Sequence, residues 1–164
     1  SIRMMKAATN KNFLKNFDQV IKEIQEILPE KFDFSDIDAF DEDPQIFTLI
    51  NGSLKIGQYA YAEELAEALK GKFDKARALI KIVKTYMQKR NFAAADRCLE
   101  KADYTAKTLL PCDRGYTYVI DAIVYLFIER KNFKKVEDNL CFCSDSCQAE
   151  CQKQLLAAAG KFAI

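Results

Sequence analysis

From Asn12 to Leu28 the apolar residues Phe13, Leu14, Phe17, Val20, Ile21, Ile24, Ile27 and Leu28 recur at steps of three and four, a spacing that gathers side chains on one helix face. Pro29 ends the pattern, because a proline removes a donor and collides with the preceding turn. No period survives over the next stretch: Asp33, Asp36, Asp38, Asp41, Glu42 and Asp43 interleave with Phe32, Phe34, Ile37 and Phe40. The segment 29–43 therefore reads as an acidic loop pinned by aromatics.

Asp43 followed by Pro44 predicts a helix start, with a carboxylate able to cap and proline at the first helical position. Helical periodicity then recurs over 44–54, 57–70, 73–89, 92–108, 115–130, 132–142 and 145–158, and no segment reads as a strand. Gly57, Gly71, Gly115 and Gly160 fall at or beside the proposed ends, where a left-handed backbone is often needed. Ser144 or Asp145 is placed to cap the last helix.

The helices repeat. A shift of 33 residues carries Ile46 to Leu79, Leu49 to Ile82, Ile50 to Val83, Tyr59 to Phe92, Ala62 to Ala95, Ala66 to Leu99 and Leu69 to Ala102. A further shift of 41 carries Leu79 to Ile120, Ile82 to Ile123, Val83 to Val124, Tyr86 to Phe127, Phe92 to Phe133, Ala95 to Val136 and Leu99 to Leu140. The eight extra residues belong to a longer link between Thr105 and Gly115, marked by Pro111. A single helix pair is too small to bury its apolar face alone, so three copies call for stacking and a cap at each end. The expected fold is one all-α domain over 1–164: a cap helix at 12–28, the acidic loop at 29–43, three hairpin repeats over 43–143, and a cap helix at 145–158.

On Leu79, Ile82, Tyr86, Phe92, Ala95, Leu99 and Ala102, with Gly57, Tyr59 and Ala62 in the first copy, the chain resembles tetratricopeptide repeats. It departs from them in carrying the bulky Ile50, Val83 and Val124 where the family usually has a small residue, in lacking tryptophan, in Ser53 standing for Tyr, and in Val136 standing for Ala. The resemblance implies a right-handed superhelix of antiparallel helical hairpins. It also implies a concave groove, lined by the first helix of each hairpin, in which a partner peptide or helix docks.

Composition narrows the chemistry. The chain has 164 residues, 49% hydrophobic and 30% charged, a mixture able to build a globular core. With 25 basic and 24 acidic side chains the net charge is +1, which gives no field to concentrate nucleic acid or an anionic membrane surface. Histidine is absent, removing the commonest general base and the usual hydrolytic triad. The five glycines form no phosphate-cradling loop, and the acidic loop lacks the central glycine and terminal glutamate of a calcium loop. A non-enzymatic protein with no cofactor is the reading that remains. A chain that needs no disulfides to hold its core points to a reducing, cytoplasmic setting.

Six cysteines stand at 98, 112, 141, 143, 147 and 151. Cys143 completes an apolar stripe with Phe133, Val136 and Leu140, and Cys147 and Cys151 continue one with Leu155 and Ala158, so the simplest role for the thiols is to fill core. The alternative is a zinc or redox site on Cys141, Cys143, Cys147 and Cys151, four thiols near one helix junction.

Groove candidates are the residues of the first helices that lie off the internal stripe: Phe47 and Asn51, then Arg77, Lys81 and Lys84, then Tyr118, Asp121 and Tyr125. Three cations and two tyrosines suit a protein or peptide partner with an acidic segment. Phe32, Phe34, Ile37 and Phe40 offer a homodimer contact if the cap helices leave them uncovered.

Overall fold

The computed structural model describes residues 44–111 and 115–160, together with Gln19, Lys22 and Glu26. Those three single residues are helical and exposed. The rest of the expected 12–28 helix, the 29–43 loop with its aromatics, the Asp43 cap and Cys112 lie outside the described residues.

Every element among the described residues is helical. In chain order they are α1 (Pro44–Lys55), α2 (Tyr59–Ala68), α3 (Lys72–Gln88), α4 (Phe92–Ala106), α5 (Tyr116–Glu129), α6 (Phe133–Asn139), a single 3-10 turn (Leu140–Phe142) and α7 (Asp145–Gly160). The predicted helix over 132–142 tightens into the 3-10 turn after Asn139, whose buried amide donates to the Lys135 carbonyl at 2.8 Å. Such back-bonding competes with the regular ladder at a helix end.

Three turns share one geometry. Gly57, Arg90 and Lys131 hold φ of 80°, 60° and 56°, and they correspond under the shifts of 33 and 41. Each N–H bonds three residues back, to the carbonyls of Leu54, Met87 and Ile128. The next N–H, from Gln58, Asn91 or Asn132, bonds five residues back, to Ser53, Tyr86 or Phe127. These paired bonds satisfy carbonyls that a helix end leaves open. The same following residue then starts the next helix: Asn91 and Asn132 accept from the N–H of Ala94 and Lys135 through their side chains, as N-cap residues do.

Helices adjacent in sequence pack on each other from α1 to α7, and α1 on α3, α3 on α5 and α5 on α7 also meet. The core runs through these contacts. Ile46, Leu49, Ile50, Leu79, Ile82, Val83, Ile120, Ile123 and Val124 are buried on α1, α3 and α5, against Ala62, Leu65, Ala66, Ala95, Leu99 and Val136. The bulky Ile50, Val83 and Val124 are fully enclosed, in the same core cluster as the buried Ala62, Ala66 and Ala95. No helix among the described residues is long and apolar enough to cross a membrane.

Candidate functional site

The α1, α3 and α5 faces were the predicted groove, and the structure divides its residues into two groups. Phe47 is buried, so it is not the ligand-facing ring that its spacing suggested. Its counterpart under the 33-residue shift, Ile80, is buried as well; both stand at the edge of the packed stripe. Arg77 closes over this edge. Its guanidinium lies 4.9 Å from the Phe47 ring centre and 5.5 Å from that of Phe73, and 3.6 Å from the Asp74 carboxylate. A cation so placed serves packing and cation–π attraction rather than reaching for a ligand.

Lys81 donates to Asn51 Oδ1 at 2.8 Å, joining α1 to α3. Asp121 is also engaged, accepting from the Ser144 N–H at 2.9 Å and from the Ser144 hydroxyl at 2.5 Å. Ser144 Oγ in turn accepts from the Cys147 N–H at 3.3 Å, so Asp121 orients the cap of α7. What remains outward is Lys84, exposed on α3, with Tyr118 and Tyr125, which are 64% and 42% exposed on α5. The two tyrosines stand seven residues apart, on one helix face, and Lys84 and Tyr125 occupy the position corresponding to Asn51 under the repeat shifts.

The cysteines divide differently from the expected foursome. Cys143, Cys147 and Cys151 bring their sulfurs within 4.8 Å of one another and are buried, whereas Cys141 is exposed and outside the group. Cys141 lies within the 3-10 turn, whereas Cys143 follows it. Cys147 and Cys151 lie one turn apart on α7 with sulfurs 3.9 Å apart, and Cys143 arrives from the residue before the Ser144 cap. Burial raises both α7 thiols above the ordinary range, so as free thiols they stay protonated and unreactive. Tyr125 borders the cluster: burial and the nearby Cys147, Asp121, Glu150 and Cys151 all raise its phenol.

A further polar node escaped the sequence pattern. Glu63 on α2 accepts from the Tyr86 hydroxyl at 2.6 Å on α3, from the Arg97 guanidinium on α4, and from the Cys98 thiol at 3.4 Å. Burial would raise this carboxyl, but the hydrogen bonds from Arg97, Tyr86 and Cys98 outweigh it and hold it at about 2. Cys98, buried and facing that carboxylate, is pushed up to about 12. The spacing of 34 between Glu63 and Arg97, one more than the first shift of 33, was the signal available. Asp96 and Arg130 pair at 2.6 Å with the same separation, but across the interval where the shift is 41 and so not as its repeat equivalent. Compared with protein-family models, curated proteins and solved structures, the chain finds no match in any of the three.

Proposed function

We propose that the protein is a non-enzymatic protein–protein interaction module, a tetratricopeptide-like stack of helical hairpins with terminal caps that binds a peptide or helix along the α1, α3 and α5 face. The observation that carries this reading is the pair of exposed tyrosines on one face of α5, Tyr118 and Tyr125. They lie on α5, which packs on α3 as α3 packs on α1. Tyrosine at such a position supplies large apolar contact area with a polar tip, at small cost in side-chain entropy. The common geometry of the three turns supports the repeat reading, since equal turns make successive helix pairs equivalent.

Lys84 adds a cation able to form a charge-assisted bond with an acidic ligand residue. Because Arg77 is stacked and Lys81 is bonded to Asn51, the acidic preference rests on Lys84 and is weaker than three open cations would make it. Peptides selected on the immobilised protein from a random display library test the proposal. Tyr125→Ala should weaken the selected ligands by about 30-fold, the effect of losing an aromatic anchor, and Lys84→Glu should weaken acidic ones selectively. Ligands indifferent to Tyr118→Ala, Tyr125→Ala and Lys84→Glu would place binding elsewhere.

A further inference from the structure

Helix α7 is sixteen residues long, yet the side chains it fully buries are Cys147 and Cys151, with Leu155 packed only partly against the core. Two thiols bury little apolar area for a helix of this length. Leu156, on the same element, is 70% exposed. The third thiol, Cys143, comes from the end of the preceding 3-10 turn, so the three sulfurs span the junction between α6 and α7. Leucine and isoleucine are fully buried in α1, α3 and α5, whereas at this junction Leu140 and Leu155 are only partly covered and the fully buried apolar side chains are cysteines.

We propose that Cys143, Cys147 and Cys151 form a binding site for a thiophilic divalent cation of the zinc type, which staples α7 to the end of α6. Zinc–thiolate bonds of about 2.3 Å set tetrahedral sulfurs about 3.8 Å apart. Cys147 and Cys151 already stand 3.9 Å apart, and the remaining sulfurs lie within 4.8 Å, so closure requires shifts of about 1 Å or less. The four-residue steps from Cys143 to Cys147 to Cys151 put the last two on one helix face. On binding, three S–H bonds give way to three metal–sulfur bonds, and three protons pass to solvent. The fourth position is left to water, since Cys141 lies outside the cluster.

Charge selects the ion. Three thiolates around a divalent cation leave one negative charge, whereas a monovalent cation leaves two. Asp121, held beside the cluster through Ser144, whose hydroxyl accepts from the Cys147 N–H, makes the second arrangement the less favourable.

The test is a titration of the full, thiol-reduced chain with Co2+ under anaerobic conditions, followed by displacement with Zn2+. The expected result is one Co2+ per chain, with thiolate-to-cobalt charge-transfer absorption that Zn2+ abolishes. Cys151→Ser and Cys143→Ser should each weaken binding by more than about 100-fold, beyond the range of an outer-shell change, while Cys141→Ser leaves it unaltered. Far-UV circular dichroism identifies a variant that has lost its helices. Should Cys151→Ser do so, Cys143→Ser, which lies outside α7, carries the comparison. In the wild-type chain Zn2+ should slow proteolytic cleavage within 145–160. Absence of the charge-transfer band, its survival in either loss variant, a requirement for Cys141, binding of Cu+ but not of Co2+ or Zn2+, or unchanged cleavage would each overturn the proposal.

Discussion

Gly115 shows how much one missing carbon can decide. It holds φ at +85° at the start of α5, and a Cβ there would overlap the Phe73 ring. Gly57 holds nearly the same φ, 80°, with open space around it. Alanine at Gly57 should therefore cost only the left-handed backbone penalty, about 1 kcal/mol. Alanine at Gly115 should cost about 3 kcal/mol, because the displaced ring also disturbs Arg77, which rests on Phe73. Urea denaturation of the two variants side by side checks the difference; equal losses would mean that Phe73 yields without strain.

At the scale of elements, the turns matter more than helix propensity. Arg90 and Lys131 adopt the left-handed conformation that Gly57 adopts without steric penalty, so two of the three equivalent turns carry strain that the paired backbone bonds hold in place. Arg90 is exposed and its backbone already has the shape glycine prefers. Arg90→Gly should stabilise the protein by about 0.5–1 kcal/mol, relief of the side-chain clash exceeding the entropy that glycine adds to the unfolded chain. A higher melting temperature would bear this out, and a lower one would show that the arginine side chain contributes more than its backbone costs. This turn was only partly legible beforehand: Gly57 advertised it, but Arg90 and Lys131 have no such signature, and only alignment with the first copy exposes them.

For the molecule as a whole, Glu63 ties three helices together, and its ionisation makes stability depend on pH. The folded carboxyl is held at about 2, below the ordinary 4.5. Its contribution is therefore complete above pH 4.5 and disappears as the pH falls through the window down to 2. Allowing for the half-exposed Arg97, the loss across that window is about 2 kcal/mol. Glu63→Gln should flatten the slope of the urea midpoint between pH 5 and 2 while lowering stability at pH 7; an unchanged slope would assign the acid sensitivity to other carboxylates.

The periodicity by itself determined that the described chain is helical, where most helices begin and end, and which positions repeat at 33 and 41. Those are local matters: a helix announces its buried face by spacing, and a three-residue turn recurs wherever the flanking stripes recur. Which residues of the expected groove stay open was decided only by tertiary packing. Phe47, Arg77 and Lys81 looked outward by spacing alone, yet each meets a side chain from another element or from the edge of the core, whereas Tyr118 and Tyr125 meet too little to be covered. The thiols follow the same rule. Four cysteines crowd one junction in the sequence, but Cys141, within the 3-10 turn, is left at the surface, and Cys143, just after it, joins Cys147 and Cys151 in the interior, a division set by packing and not by spacing.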